Sequence, residues 1–387
     1  MGRLIGLSDR AMHRFLLRTA LSGAHLFAWV FIFQYYYIET RSVAGAFISL
    51  ALTYALTQVL VILLTPLSAR RVRHGFKRGV IYALLSLAAS FALLAAAFSG
   101  YLGNIGWGIG LFACFAGLYR ALYWVPYEVA AQTEKGSKRE WVEIFIALAP
   151  LCAGFYLTTG GLSPVILLYA ASAVALLSIL PILNMRDTHE SFVWTYRQSF
   201  HELFAPEYRS VLWSSFFGGI EAAALLLLWP VVVFTLLDWS YALLGVVMSL
   251  TFILTIISKK IFDGAIRTVP EHIQPVVAAS GWFMRLGVGG FIGAVLVDTY
   301  FHTASRSASR GIDINSFEQT ADNHTFVDEF TALKEMGMSI GRIALCLLAV
   351  VLVSLFALPH ALAIAFILAA CAAGLSVYFS LKHSRRY

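Results

Sequence analysis

Apolar runs of about 20 residues, the length a helix needs to cross the roughly 30 Å hydrocarbon core of a bilayer, recur along the whole sequence with short polar intervals between them. Only 13% of the 387 residues are charged and 59% are hydrophobic, where a soluble domain carries roughly 25% charge. The mean hydropathy is +0.77. These properties describe one polytopic membrane unit and not a soluble domain with an anchor.

Twelve crossings are expected, near 19–38, 43–66, 79–99, 105–128, 142–161 and 164–184, then 210–237, 240–258, 272–289, 291–312, 336–357 and 360–381. A charged interval, 186–209, divides the two sets. The interval 272–318 fades without a clear break, so it reads as one crossing or two, and the basic residues decide for two. With twelve crossings, 24 of the 28 Lys and Arg residues fall on one face, including Arg70, Arg71 and Arg73, Lys135 and Lys138, and the tail KHSRRY. The positive-inside rule then makes both termini cytoplasmic, and the plasma membrane is the expected location. Tyr35, Tyr36, Tyr37, Trp107, Trp239 and Tyr241 fall near outer helix ends, where amphipathic rings favour the interface.

A shift of 196 residues lays the second set on the first: Gly23 and His25 fall on Gly219 and Glu221, Arg71 on Arg267, Lys138 on Lys334 and Arg186 on Lys382. Six helices per repeat is an even number, so the halves share one orientation, and sites are expected between them near the midplane. The expected domains are 1–185 and 210–387 about the cytoplasmic loop 186–209. Twelve helices in two six-helix halves with a charged central loop resemble the major facilitator superfamily of secondary transporters, over essentially the whole chain. The loop PLSARRVRHGFKRG keeps that family's basic cluster after the second helix but lacks its glycine and aspartate. KKIFDGAIRT, in the matching loop, retains Asp263 and Arg267. Arg120, in GLYRALYWVPYE, resembles the arginine of the fourth-helix motif.

Other classes find no support. Cys114, Cys152, Cys346 and Cys371 lie in apolar segments without metal or redox spacing and read as buried structural thiols. The net charge of +7 is spread over loops and not along one face, against nucleic acid as a partner. The first apolar segment follows four arginines and has no cleavage pattern, so it is expected to stay as a helix. No enzyme constellation or phosphate loop is present, so no catalytic residues, cofactor or metal are expected. Gly106 with Gly110, and Gly289 with Gly293, are spaced to let helices approach closely.

The chemistry is expected from ionisable groups at membrane depth. A carboxylate at the centre of a spanning helix costs about 2.5–3.5 kcal/mol on insertion scales, so it faces protein or water. Glu221, in SVLWSSFFGGIEAAALLLLWPVVVFTLLD, is the first such group and the leading candidate for proton coupling, with His25 and Asp298 beside it; its structural alternative is a buried hydrogen bond. Arg120 is expected to pair with Glu221, Asp298 or a substrate anion. Asp298, His302, Arg306 and Arg310 recur every fourth residue and so share one helical face. Tyr123, Trp124 and Trp229 join Arg120, His302 and Arg310 as expected cavity walls, and Trp229-Pro230 marks a kink. Asp263, Arg267, Glu335 and Arg342 are candidates for a cytoplasmic gate, Glu335 and Arg342 lying seven residues apart on one side of an amphipathic entry helix; solvated interface charges are the alternative there.

The expected function is secondary active transport of a small organic or amphipathic, lipid-like solute by alternating access, coupled to protons, with export as one direction it could take. A non-transporting scaffold or sensor and a lipid-translocating protein are the alternatives.

Overall fold

In lipid the backbone must satisfy its own hydrogen bonds, and the chain does so with helices alone. The computed structural model describes residues 8–132, 140–159, 163–187, 189, 192–305 and 327–384, and all regular structure among them is helical. The first six long helices are α1 (Asp9–Ala20, a π turn at Leu21–His25, then Leu26–Thr40), α2 (Val43–Arg71), α3 (Phe76–Phe98), α4 (Ile105–Gln132), α5 (Glu140–Thr158) and α6 (Pro164–Leu177 with Ile179–Asn184). A short α7 (Tyr196–Leu203) follows. Then come α8 (Arg209–Ala223, a π turn at Ala224–Leu228, then Trp229–Leu236), α9 (Tyr241–Arg267), α10 (Gln274–Arg285), α11 (Phe291–Tyr300, continued by a π turn at Phe301–Ser305), α12 (Val327–Leu355) and α13 (Leu358–Ser384).

Ten of these, α1–α6, α8, α9, α12 and α13, are long and apolar enough to cross a membrane. The chain is therefore a multi-pass integral membrane protein. The segment expected at 272–289 is helical but short, and that expected at 291–312 is helical up to residue 305, its remainder lying outside the described residues. α10 has 12 residues, about 18 Å at 1.5 Å per residue, and α11 has 10 before its five-residue π turn. The break between them falls at Gly287, Gly289 and Gly290, where each glycine costs a helix about 1 kcal/mol relative to alanine.

Pro230 lacks the N–H that the helix would use and crowds the preceding turn. The π turn immediately before Trp229 absorbs that defect in α8. In α5, next to Pro150, the amide of Leu151 donates to Ser249 Oγ of α9 at 2.9 Å, so a backbone donor is used across helices.

The sharp turns between α1 and α2 and between α8 and α9 are built alike. Arg41 is left-handed and Ser42 caps Gly45 N at 3.2 Å; Asp238 and Trp239 are left-handed and Ser240 caps Leu243 N at 3.3 Å.

Packing is equally patterned. α2 runs along α12 and α5 along α9; α8 packs on α12 and α13, α1 on α5 and α6, α3 on α6, α10 on α13, α2 on α4 and α9 on α11. Where backbones come closest there is no room for a side chain. A β-carbon on Gly219 would lie 2.0 Å from Met338 O, on Gly341 1.9 Å from Phe216 O, and on Gly245 2.4 Å from Pro150 O. The pairs expected from spacing do not do this: Gly110 and Gly289 have nothing within 4 Å, Gly106 meets only Asn104 of its own turn, and Gly293 only Val288.

Both described ends of the chain lie on one face. There Arg18 of α1 pairs with Glu143 of α5 at 2.6 Å, Lys77 N donates to Asp187 at 3.2 Å, and Ser210 meets His383 at 3.1 Å. The linker joins this face. Val193 N donates to Glu329 of α12 at 3.1 Å and Tyr196 to the Leu63 carbonyl of α2 at 3.1 Å, while Phe192, Trp194 and Leu203 are buried against Ala69, Val72, Val125, Leu333 and Met336.

The opposite face is sealed by aromatic rings. Trp239 stacks on Phe33 at 5.6 Å and lies 4.8 Å from Tyr37. Tyr241 packs on Phe31 at 5.6 Å and Phe234 at 5.2 Å, and its hydroxyl donates to Gln34. Trp239 and Tyr241 thus turn into the bundle, whereas Trp107 is exposed as an interfacial ring would be.

All four cysteines are free, but only Cys346 is buried; Cys152 and Cys371 are exposed on spanning helices, which corrects their reading as core thiols. Small apolar side chains suffice on a lipid-facing surface, so exposure there leaves no trace in hydropathy.

Candidate functional site

Two groups of charged side chains lie within the bundle. The first joins α4 to α12 and α2. Arg120 is 15 residues, about 22 Å, from the start of α4 at Ile105. Its Nη2 lies 3.3 Å from Glu335 Oε2 of α12. Arg342, seven residues further along α12, places Nη1 4.0 Å from the same oxygen and donates to Gln58 Oε1 of α2 at 3.2 Å. Arg342 and Gln58 are 2% and 1% exposed, so these groups are out of water.

Glu335 and Arg342 are therefore not solvated interface charges. Their seven-residue spacing does put them on one side of the helix, but that side faces α2 and α4. The partner of Arg120 is Glu335, not Glu221 or Asp298. The group holds two guanidinium ions and one carboxylate, and Nε of both Arg120 and Arg342 is buried without a hydrogen-bond partner among the described residues. Tyr54 lies four residues before Gln58 on α2. Trp29 Nε1 donates to His25 Nε2 at 3.4 Å, and its ring meets Tyr54 and Phe112 edge-on at 5.3 Å each.

The second group is built by α8, α10 and α11. Arg285, 2% exposed, pairs with the equally buried Asp298. Its Cζ stands 4.0 Å from the centre of Phe301, 4.3 Å from Trp282 and 4.6 Å from Trp229. Contacts of a cation with an aromatic face contribute about 0.5–2 kcal/mol each, more when dry. The indole N–H of Trp282 donates to Glu221 Oε1 at 3.3 Å. Glu221, Asp298 and Trp229, expected in separate roles, thus share one assembly around an arginine.

The remaining candidates are dispersed. The hydroxyl of Tyr123 lies 3.0 Å from Nε2 of His13, whose Nδ1 is 2.8 Å from the Ser178 carbonyl, and Trp124 stands edge-on to Tyr123 at 5.6 Å. The Tyr123 and His13 rings belong to a contact among α1, α4 and α6. His302 faces Phe252 of α9 at 6.1 Å while Asp298 faces Arg285, so the two do not share a direction; the π turn beginning at Phe301 shifts the register between them. Arg310 and Arg306 lie outside the described residues, as do the side chains of Asp263 and Arg267. Among the described residues no three His, Cys, Asp or Glu side chains gather to hold a metal ion.

Sequence reasoning passed over Arg285, Trp282, Gln58 and His13. Arg285 carried a usable signal, since it follows Trp282 and Phe283 and precedes Asp298 by 13 residues. Gln58 carried none. No family model and no curated protein matches the chain.

Proposed function

We propose that this chain is a secondary active transporter of a small organic or amphipathic solute, working by alternating access in a fold like that of the major facilitator superfamily. The observation that carries the proposal is the Arg120–Glu335–Arg342 group, ionised side chains buried in spanning helices. Charges placed at this depth are costly and mark solute or ion pathways by default. In the two-half reading, Arg120 belongs to the first half and Glu335 and Arg342 to the second, so the group bridges the surfaces that must part.

The helix pairing supports that reading. Within each proposed half the first helix packs on the fifth and sixth, the second on the fourth, and the third on the sixth. Across the halves α2, second in its half, meets α12, fifth in its own, while α5 and α9 repeat the relation with the halves exchanged. A two-fold axis along the membrane normal produces such reciprocity. α10 and α11 then stand as the ninth and tenth crossings, and the terminal face, with the basic loops, is cytoplasmic in the plasma membrane. Glu221, held by Trp282 beside the Arg285–Asp298 pair, is the proposed proton carrier, with His25 across the bundle.

The test is uptake into proteoliposomes under an imposed pH gradient, against a panel of organic solutes. Saturable uptake accelerated by the gradient in the native chain, but not in Glu221→Gln, is expected. Binding without any flux would turn the reading to a scaffold or sensor, and flux only of phospholipid to lipid translocation.

A further inference from the structure

We propose that the Arg120–Glu335–Arg342 group is the binding site for the acidic group of an organic anion, which enters between the two guanidinium ions. This assignment rests on the transport reading for its biological sense, but its evidence is separate. Among the described residues the group carries two cations and one anion, an excess of one positive charge inside the bundle. Glu335 is shared unequally, at 3.3 Å from Arg120 and 4.0 Å from Arg342. Arg342 is 2% exposed, and besides the 4.0 Å approach to Glu335 it is met among the described residues by the neutral Gln58 oxygen and a 3.9 Å contact with Met338 Sδ. Neither arginine has a hydrogen-bond partner for Nε among the described residues.

A guanidinium presents a planar fork matched to two oxygens of a carboxylate or phosphate. One oxyanion arriving here would neutralise the surplus charge and take the donors left unused. The surroundings select the rest of the molecule. Tyr54 stands one helical turn from Gln58, the partner of Arg342, and Trp29 meets Tyr54 and Phe112 edge-on, so an aromatic or apolar body is favoured over a small hydrated anion. Because Arg120 and Glu335 sit on helices of different halves, an incoming oxyanion that replaces Glu335 on Arg120 would also release the ion pair that ties those helices together.

The experiment measures thermal unfolding of the full chain in neutral detergent with benzoate, phenyl phosphate, inorganic phosphate or the uncharged analogue benzamide, each at millimolar concentration. Benzoate and phenyl phosphate are expected to raise the unfolding temperature and benzamide is not. The shift should vanish in Arg342→Gln and grow in Glu335→Gln, where the anion no longer competes with a resident carboxylate. Arg342→Lys, which keeps the charge, serves if Arg342→Gln does not fold, and should retain a weakened shift. A shift produced by phosphatidylglycerol and not by the soluble acids keeps the site and names a lipid headgroup as its anion.

Equal shifts with benzamide, an unchanged acid response in Arg342→Gln, or no response to any acid or acidic lipid in either the native chain or Glu335→Gln would overturn the proposal. Acid binding without gradient-driven uptake leaves the site standing and removes the transport reading. Uptake of neutral or cationic solutes without acid binding does the reverse.

Discussion

Adding one carbon to Gly341 or Gly219 should force α8 and α12 apart. A β-carbon would stand 1.9 Å from Phe216 O at Gly341 and 2.0 Å from Met338 O at Gly219, whereas carbon and carbonyl oxygen settle at about 3.3 Å or more. Either substitution therefore demands a local separation of roughly 1.3 Å, and the obstacle is backbone, which cannot rotate away. Overpacking of this kind costs about 1–3 kcal/mol and occasionally more, and the upper end is expected here for each single variant. The two clashes are relieved by the same displacement, so Gly219→Ala with Gly341→Ala should cost at least about 1 kcal/mol less than the sum of the singles. Gly110→Ala is the control. Its new carbon meets nothing within 4 Å, and alanine favours a helix by up to about 1 kcal/mol, so that variant should match or exceed the native stability. Denaturant unfolding of the purified protein in micelles, followed by far-UV circular dichroism, measures all four. Single variants within about 0.5 kcal/mol of native, or a strictly additive double variant, would refute the reasoning.

Three further outcomes follow from the charges and one strained turn. Glu335→Gln leaves Arg120 and Arg342 facing one another and should cost about 3–5 kcal/mol, partly recovered when Arg120→Gln is added; a double-mutant coupling below about 0.5 kcal/mol in the same unfolding assay would show that the pair is idle. Arg285→Gln takes the cation from the buried Asp298 and should destabilise by a similar amount, of about 3–5 kcal/mol, with Asp298→Asn restoring part of it. Gly75→Ala places a side chain at φ 102°, with its β-carbon 2.3 Å from Asp187 Oδ2, and should cost about 1–3 kcal/mol; Asp187→Ala removes the collision but not the backbone strain, so thermal unfolding of the double variant should show only partial recovery.

Membrane character and the position of ten crossings were legible because length and hydropathy are one-dimensional properties of a chain in lipid. α10 was found but overestimated, since glycine lowers helix stability without making a segment polar. The depth of Glu221 could be counted along its helix; that Trp282, 61 residues away, would donate to it could not. Glu335 and Arg342 show the same limit. Their shared side follows from a seven-residue spacing, but which way that side faces depends on α2 and α4, and the polar start of the segment pointed to solvent. Glycine spacing misled for a related reason: Gly106 and Gly110 have the spacing of a contact motif, but close approach also needs a partner whose backbone arrives there, as Met338 and Phe216 do at Gly219 and Gly341.

The close crossing at Gly245, where a β-carbon on Gly154 of α5 would lie 3.2 Å from the Gly245 α-carbon, has a mechanical consequence. Gly245 stands only four residues from the start of α9 and 22 from its end at Arg267, arms of about 6 Å and 33 Å. With no side chain between the backbones at that crossing, it serves as a fulcrum when α5 and α9 tilt against each other. A rotation of about 10° would then shift the short arm by roughly 1 Å and the long arm by nearly 6 Å for those lengths. The aromatic seal lies at the short arm, so small tilts that widely open the terminal face leave the opposite face closed.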